Sequence, residues 1–372
     1  MQLTITRGDL VRILGHARSA VPSRTTIPII SHVRLHANGS GRLEISGTDL
    51  DRQCIDAGTA VITAPGDITV PADVLGQIAK SLPEGDVSIR YDAIDERVEI
   101  KVGRARYRLA TLPAADFPSL ASEAPACRWR LPAEAVVRMI AAPLFAAATD
   151  DTRPHLMGCH LLCPSGAARL RSETTDGHRL IIREMALPAG SVPLPDPGII
   201  IPRQAMADIG RMADGAEDEM DIAISGTRIA VTHRATVYVS KLADGRFPDV
   251  GRVTPQRRPD RRTTVDRRHL AEAVGRMAAV LDAKLPRIEW TAGDGELALA
   301  ASRGADHEAS DAIPAEHVGA AWTSGISARY LLETLAAMRG ERVTIEAESP
   351  GAPYRLTDDG AEDDVHVIMP LR

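Results

Sequence analysis

Aromatic residues are scarce in this sequence and make up only 3% of its 372 residues. Its hydrophobic cores must therefore be built mainly from Val, Ile, Leu, Ala and Met. Cysteine is also rare, which predicts a reducing compartment rather than a secreted protein held by disulfides. The four cysteines are Cys54, Cys127, Cys159 and Cys163.

Long apolar runs are missing as well. No stretch approaches the roughly 18 apolar residues of a membrane-spanning helix. The first residues, MQLTITRGDLVRIL, carry charges early and lack the apolar centre of a secretory signal. We therefore expect a cytoplasmic protein.

A basic excess is absent too, because 44 Lys and Arg face 50 Asp and Glu, for a net charge of −6. A protein that grips nucleic acid tightly is usually basic, so this balance argues against static DNA binding. It leaves room for a local basic surface inside an acidic shell. The sequence contains no GxxxxGK[ST] loop, so neither nucleotide hydrolysis nor a bound cofactor is expected.

A repeated segment organises the chain. TLPAADFP (111–118) returns one third of the chain later as SKLADGRFP (240–248). Self-similarity at such an offset indicates duplicated structural units. At this length, two or three domains are expected in any case.

Each unit follows one pattern of a strand, an amphipathic helix, more strands, then a strand, a proline and a second helix. In the first unit Asp9 is predicted to cap a helix that buries Leu10 and Ile13. A second helix is predicted to place Val74 and Leu75 on its apolar face. The central unit is predicted to open with a helix over 133–147.

The pattern predicts an α+β fold of three repeats, each with two helices on antiparallel sheets and roughly eight short strands. The predicted domains are 1–126, 127–256 and 257–372, with linkers rich in proline, alanine or charge. Arginines occupy the polar faces of the helices, namely Arg12, Arg18, Arg138, Arg203, Arg211, Arg267, Arg268 and Arg276.

The whole chain resembles the bacterial sliding clamp family, the beta subunit of DNA polymerase III. The blocks that carry the resemblance, in the family's order, are TIPIISHVRL (26–35), TTDGHRLI (174–181), IIPRQAMADI (200–209), SKLADGRFPD (240–249) and VIMPLR (367–372). The resemblance implies a non-catalytic processivity factor. It also implies a head-to-tail homodimer that closes into a pseudo-six-fold ring around duplex DNA, with helices lining the hole.

The resemblance further implies partners that bind through short linear peptides. These are the DNA polymerase III alpha subunit, the clamp-loader delta subunit, and other polymerases and repair proteins. Such a clamp would be associated with the nucleoid. The matching pocket positions are Leu156, Thr175, Gly177, His178, Arg179, Leu180, Pro248, Arg252, Val253, Pro353, Val367, Met369, Pro370, Leu371 and Arg372.

Short apolar side chains and a methionine suit a slot for Leu or Phe anchors, and Arg179 and Arg252 are predicted to hold peptide carbonyls or a carboxylate. For DNA, the resemblance implies phosphate contacts that position the duplex without reading its sequence. The matching residues are Arg24, Arg153 and Arg203.

Alternative interpretations accompany several of these motifs. Asp176 and His178 form a catalytic-looking pair without a nucleophile, and a tight turn with Gly177 at positive φ is the preferred interpretation. Cys159 and Cys163 are expected to be buried thiols, and no metal site is expected. The arginine-rich run at 257–262 fits either DNA contact or a solvated linker.

Two alternative functions remain at this stage. One is a clamp paralogue with specialised partners in repair, a mobile element or antibiotic resistance, suggested by Pro154, His155 and the terminal Arg372. The other is an enzyme on a repeated α+β scaffold. That enzyme would need a cleft with paired ionisable groups, which the sequence does not offer convincingly.

Overall fold

The computed structural model describes residues 1–120, 123–150, 152–164, 168–282, 286–304, 306–349, 351–361 and 363–371. These residues form six α-helices and 25 β-strands in three successive groups. Every strand pairing among them that the structure records is antiparallel. The predicted α+β fold of repeated units is confirmed. No helix in the described ranges is long and apolar enough to cross a membrane.

The elements repeat in order along the chain. The first group is β1 (Gln2–Thr6), α1 (Arg7–Arg18), β2 (His32–Ala37), β3 (Arg42–Thr48), β4 (Arg52–Thr59), β5 (Val61–Ala64), β6 (Gly66–Pro71), α2 (Ala72–Ser81), β7 (Asp86–Asp92), β8 (Arg97–Val102) and β9 (Ala105–Ala110). The second is β10 (Cys127–Pro132), α3 (Ala133–Val136), β11 (Gly158–Leu162), β12 (Arg169–Thr175), β13 (Arg179–Ala186), β14 (Ile199–Pro202), α4 (Arg203–Ala213), β15 (Glu219–Ile224), β16 (Arg228–His233) and β17 (Thr236–Lys241). The third is β18 (Arg262–Asp266), α5 (Arg267–Ala278), β19 (Arg287–Gly293), β20 (Glu296–Arg303), β21 (His307–Val318), β22 (Trp322–Ser327), α6 (Ala328–Ala337), β23 (Arg342–Glu346), β24 (Tyr354–Asp358) and β25 (Val365–Ile368).

The chain divides into two compact units. The first comprises Met1–Val137, Pro188–Val192 and Ala207–Leu242. It contains a five-stranded sheet, β5-β1-β7-β8-β9, and an eight-stranded sheet, β10-β15-β16-β17-β4-β3-β2-β6. In the larger sheet β17 of the second repeat pairs with β4 of the first, so the sheet is continuous from one repeat to the next.

The second unit comprises Arg138–Leu187, Pro193–Met206 and Ala243–Arg372. It contains one twelve-stranded sheet, β14-β11-β12-β13-β25-β24-β23-β18-β21-β20-β19-β22. Here β13 of the second repeat pairs with β25 of the third. The two units therefore use the same construction, in which the sheet of one repeat continues into the next.

The core of the first unit forms around α1, as its spacing predicts. Leu10 and Ile13 are fully buried. The cap differs from the prediction, because Thr6 at the end of β1, not Asp9, accepts the hydrogen bond from the Asp9 amide at 3.1 Å. Asp9 lies in the first turn of α1 instead, where the positive end of the helix dipole stabilises its carboxylate.

The second helix shows one misplaced residue. Val74 is 43% exposed, whereas Leu75 and Ile78 are buried. The helix begins at Ala72, so positions 72, 75, 76, 78 and 79 face the core. The prediction that Val74 faces the core was wrong. Val74 adjoins the buried positions in the sequence, and hydrophobic character alone does not separate it from them.

The segment 133–147 is not the single regular helix that was predicted. One α-helical turn over Ala133–Val136 passes into a π-helical turn over Val137–Ala141 and a 3₁₀ turn over Ala142–Ala146. Pro143 lies at the start of the last turn, where it cannot donate an intrahelical hydrogen bond. The change of helix type keeps Met139 and Ile140 buried.

The largest buried aromatic side chains are divided between the two units, with Trp129 and Tyr238 in the first and Trp290 and Tyr354 in the second. Trp290 is fully buried and meets Tyr354 edge-on, with ring centroids 4.8 Å apart, and Trp322 at 5.4 Å. Such edge-to-face pairs stabilise a core beyond the area that they bury.

Four strands were missed by the alternation rule, namely β4, β5, β13 and β21. Strand β13 begins with five buried residues, including Arg179 and Arg183, so its pattern does not alternate. Strand β21 is 12 residues long and changes partner, from β20 along His307–Pro314 to β18 along Ala315–Val318. Strand β13 is covered on both faces where it begins, so it lacks the polar face on which the rule depends.

His366 on β25 predicts a specific pH dependence. The side chain is 2% exposed, and burial, reinforced by the nearby Arg183 charge, lowers the pKa of its imidazole from 6.5 to about 3. The unfolded chain therefore binds a proton below about pH 6.5 that the folded chain does not bind until about pH 3. Between these two pH values, the contribution of His366 to the free energy of unfolding falls by about 1.4 kcal/mol for each pH unit that the pH drops.

Urea unfolding at about pH 7 and about pH 5 measures this loss. The variant His366→Gln has no titrating imidazole at this position. Between the two pH values its free energy of unfolding should therefore fall by about 2 kcal/mol less than that of the wild type. Equal losses in the two proteins would contradict a buried neutral imidazole.

Candidate functional site

A tight turn between β12 and β13 places five of the predicted pocket residues. The Thr175 hydroxyl donates to the Arg179 carbonyl at 2.6 Å, and the Asp176 carboxylate accepts from the amides of His178 and Arg179 at 2.9 and 3.1 Å. Gly177 has a φ of +91°, in the left-handed region that favours glycine. The interpretation of Asp176 as a turn residue, rather than a catalytic one, fits these contacts.

A buried apolar cluster lies beside this turn in the second unit. It includes Leu156, Leu180 and Val367 of the predicted pocket, each at most 5% exposed. The other buried members are Ala148, Ile182, Ile200, Phe247, Val250 and Val365. Phe247 stacks on His160 with ring centroids 4.8 Å apart. The repeated Phe-Pro segment therefore supplies part of this cluster.

Two exposed apolar residues, Val253 and Met369, follow cluster members Val250 and Val367 closely in the chain. Val253 is 52% exposed and follows a 3₁₀ turn that begins at the buried Val250. Met369 is 38% exposed, and its amide donates to the His178 carbonyl at 2.8 Å. A soft methionine and a short valine above an apolar floor can accept apolar side chains of a ligand.

The remaining predicted pocket positions lie in several segments of the second unit. Pro248 and Arg252 are exposed, and the Arg252 side chain contacts Asp249 at 3.3 Å. Pro353 precedes β24, and Pro370 follows β25 by one residue. The Leu371 amide donates to the Gly325 carbonyl at 2.9 Å. Arg372 lies outside the described residues.

Arg179 differs from its predicted role as a peptide contact. Its side chain is 4% exposed, and Nε donates to Asp176 at 3.0 Å. The two terminal nitrogens donate to Glu333 and to the Phe145 carbonyl, and the guanidinium lies over the Tyr330 ring. Since these protein groups already take up the guanidinium, it holds the turn instead of presenting itself to a ligand.

The predicted DNA-contacting arginines have different environments. Arg24 is exposed. Arg153 is also exposed and donates to the Asp176 carbonyl at 3.2 Å. Arg203, in contrast, donates to the carbonyls of Leu144 and Ala147 at 2.7 and 2.8 Å. Burial, with the nearby Arg179 charge, lowers the pKa of Arg203. Its guanidinium supports the preceding 3₁₀ turn.

A polar cleft of about 350 Å³ brings several of these residues together. Arg153, Arg179 and Arg203 line it along with Asp150 and Asp176. Residues that the sequence analysis did not predict also line it, namely Phe145, Arg329, Tyr330 and Glu333. Arg329 and Glu333 are one helical turn apart on α6, and this spacing is the only sequence signal that pointed to them.

Arginines on the helices are largely paired with carboxylates. Arg12 contacts the buried Asp56 at 2.8 Å, and Arg276 contacts Asp311 at 2.6 Å. Other such pairs are Arg18 with Asp73, Arg138 with Asp364 and Arg211 with Asp208. The helix faces therefore carry less net positive charge than the arginine positions alone suggest.

The thiols do not form a chemical site in the described residues. Cys159 is fully buried, and burial raises the pKa of its thiol to about 12, so it stays protonated and unreactive. Cys163 is partly buried, and its Sγ accepts from the Leu194 amide at 3.3 Å. No group of three or more metal-ligating side chains occurs in the searched part of the chain.

Comparison with known proteins places this architecture in a class. Models of the N-terminal, central and C-terminal domains of the DNA polymerase III beta subunit match residues 1–121, 130–249 and 252–372. The beta sliding clamp of Caulobacter vibrioides is 36% identical, and that of Escherichia coli K12 is 31% identical, each over 100% of both chains.

Solved structures agree with the sequence relatives. A Caulobacter crescentus beta sliding clamp superimposes with a TM-score of 0.95 at 35% identity, covering 100% of this chain and 99% of that one. A Pseudomonas aeruginosa DNA polymerase III subunit beta superimposes with a TM-score of 0.92 at 31% identity, covering 100% of both chains. Repeated clamp domains over the full length define a sliding clamp.

The chain belongs to the DNA polymerase III beta subunit family. Its function is that of a DNA sliding clamp, a non-catalytic processivity factor that works with DNA and a polymerase. The alternative of an enzyme on a repeated scaffold is therefore set aside.

Proposed function

We propose that two copies of this chain close head to tail into a ring around duplex DNA. The observation that carries the proposal is the threefold repeat over the full length of the chain, in which sheets continue from repeat to repeat. We assign the repeats to clamp domains 1–126, 127–256 and 257–372. A closed ring holds DNA by topology, so it needs few phosphate contacts and is free to slide.

The apolar cluster and its rim are the proposed binding site for short partner peptides. Leu156, Leu180 and Val367 form the floor, and Val253 and Met369 are the exposed contacts. The other proposed lining positions are Thr175, Gly177, His178, Pro248, Arg252, Pro353, Pro370, Leu371 and Arg372. A Caulobacter crescentus clamp structure is described with a polymer bound at a putative beta-motif tethering region, which supports a site of this kind.

The proposed partners are the polymerase III alpha subunit, the clamp-loader delta subunit, and other polymerases and repair proteins that carry such peptides. Arg24 and Arg153 are exposed and are the proposed phosphate contacts. Arg203 acts in this proposal by supporting the loop at Leu144–Ala147 that precedes Arg153. The protein would act in the cytoplasm, on the nucleoid.

Two unpaired sheet edges are the proposed dimer contacts. Strand β9 ends the five-stranded sheet, and its Arg106 and Arg108 are each 61% exposed. Among the described residues, the first part of β21 pairs with β20 alone and carries the exposed Glu308. Opposite charges on two free edges favour pairing between copies, and an unpaired edge is otherwise prone to nonspecific association.

Charge reversal tests this edge pairing. Light scattering should give the wild type about twice 39.8 kDa and the variant Arg106→Glu/Arg108→Glu one chain mass. Glu308→Arg should weaken the dimer in the same way. Mixing the two variants should restore a dimer, because one joint then pairs reversed charges and the other keeps both native edges.

The control is Arg128→Glu/Arg130→Glu on β10, which is also an exposed edge strand and should leave the dimer intact. A wild-type chain that stays monomeric at micromolar concentration would reject the proposed ring. Dimers of unchanged stability in both β9 and β21 variants would reject these two edges.

A further inference from the structure

Two turns in different units have the same construction. One is Thr48–Arg52 between β3 and β4, and the other is Thr175–Arg179 between β12 and β13. In each, the threonine hydroxyl donates to the arginine carbonyl, at 2.7 and 2.6 Å. In each, the aspartate accepts from the next-but-one amide and from the arginine amide, at 3.0 and 2.7 Å in the first turn and 2.9 and 3.1 Å in the second.

The third residue of each turn has a left-handed backbone. Gly177 has a φ of +91°, and Leu50, at the same place in the first turn, has a φ of +81°. A leucine rarely adopts this conformation, and it persists only where the surrounding contacts impose it. The hydrogen bonds of the motif, rather than a glycine, therefore determine the first turn.

Each arginine also reaches a helix of the following repeat. Arg52 Nε donates to Asp49 at 2.9 Å, and a terminal nitrogen donates to Asp208 of α4 at 2.5 Å. Arg179 makes the corresponding contacts with Asp176 and with Glu333 of α6. The carboxylate on the helix differs in length, but both arginine side chains are largely buried, at 14% and 4% exposure.

The backbone contacts of the two turns correspond as well. The Asp51 carbonyl accepts from the Lys241 amide just where β17 ends, at 2.8 Å. The His178 carbonyl accepts from the Met369 amide just beyond β25, also at 2.8 Å. Each turn therefore sits where the sheet of one repeat is joined to the sheet of the next.

We propose that the Thr-Asp-x-x-Arg turn of the β3–β4 and β12–β13 hairpins is a latch between successive repeats, and that Arg179 is a positioning residue for the peptide pocket. The part that concerns the pocket rests on the proposed function. Through Asp176 and the turn, Arg179 fixes His178, whose carbonyl holds the amide of the rim residue Met369.

The chemistry of arginine explains the motif. Its planar fork bonds two carboxylates at once, which a lysine ammonium cannot reproduce in the same geometry. Because both arginine side chains are largely buried, removing one of the two carboxylates leaves the guanidinium charge only partly compensated. The turn is therefore sensitive to the distant residue on the helix, although that residue is not part of the turn.

The third repeat lacks the motif. The corresponding hairpin reads SRGADH over 302–307, and its strands pair Arg303 with His307. In the first two repeats, Thr48 pairs with Gln53 and Thr175 pairs with Leu180. The paired residues are therefore five positions apart in those two hairpins and four positions apart in the third. The latch thus occurs at the two joints between successive repeats and is missing from the sequence of the corresponding hairpin in the third repeat.

The test uses isosteric changes of the helix carboxylates, which keep side-chain shape. Hydrogen exchange of the amides at 176–179 should become at least about tenfold faster in Glu333→Gln, with no change at 49–52. Asp208→Asn should produce the reverse pattern. Arg179→Lys and Arg52→Lys, which keep the charge but lose the fork, should reproduce these local effects and give a second set of variants.

Peptide affinity separates positioning from general stability. In fully folded protein, Glu333→Gln and Arg179→Lys should each weaken a fluorescent polymerase-tail peptide at least about tenfold, and the double variant should be no worse than either. Asp208→Asn, the matched latch of the other unit, should bind as the wild type does.

The outcomes decide between the proposals. Unchanged exchange at both turns would overturn the latch whether or not any peptide binds. A loss of peptide affinity in Arg179→Lys with full affinity in Glu333→Gln would make Arg179 a ligand contact and overturn the positioning role. Faster exchange at the turns together with a wild type that binds no peptide would support the latch and reject the pocket instead.

Discussion

Replacing the two exposed apolar rim residues should abolish most peptide binding. In Val253→Ser/Met369→Ser, a polymerase-tail peptide should bind roughly 30 to 1,000 times more weakly than in the wild type, equivalent to about 2–4 kcal/mol. The reason is that Leu or Phe anchors of a peptide gain their binding energy from apolar surface removed from water. Both side chains are exposed now, at 52% and 38%, so the folded chain should keep its stability.

Fluorescence anisotropy with a labelled peptide measures this loss. The matched control is Val61→Ser/Ile94→Ser, which replaces two apolar residues of 68% and 94% exposure in the other compact unit. The control should bind the peptide as the wild type does. Equal affinity of the rim variant and the wild type would place the peptide site elsewhere.

The comparison of turns shows how far local sequence can predict structure. The Thr175–Arg179 turn was predictable because an Asp-Gly step needs only nearby backbone amides and a positive φ. The turn at Thr48–Arg52 has the same form, but it has Leu50 where a glycine would signal it. There the bonds of Thr48 and Asp49 close the turn without a glycine, and Arg52 contacts Asp208, far along the chain, which no local pattern announces.

The pocket was predictable in part for a similar reason. Leu180 and Val367 are apolar residues within distinctive blocks, and the structure collects them in one cluster with Leu156, which lies outside those blocks. Arg179 was assigned a ligand-binding role because an arginine beside a pocket suggests one. Its engagement by Glu333 and the Phe145 carbonyl depends on the packing of α6. Charge in a sequence does not reveal which partner neutralises it.

The helix arginines illustrate the same limit. Arg12 and Arg18 looked like a basic surface, but Asp56 and Asp73 pair with them. Asp56 is completely buried in β4, a strand that lacked a predictive pattern.

The second large effect concerns how DNA is held. A ring that encircles a duplex should stay on closed circular DNA and leave when the circle is cut, because a linear end lets it slide off. Retention should then differ at least about tenfold between the two forms and depend little on salt, whereas attachment through phosphate contacts would fall steeply with salt. Loading requires a clamp-loader ATPase from other proteins, because a closed ring cannot thread onto a circle.

The most direct measurement of the central claim is the retention of labelled protein on closed circular DNA before and after a single cut, with a loader present. The ring predicts stable retention on the circle and rapid loss after linearisation, and no loading of the monomeric Arg106→Glu/Arg108→Glu variant. Equal loss from circular and linear DNA would contradict a topological clamp.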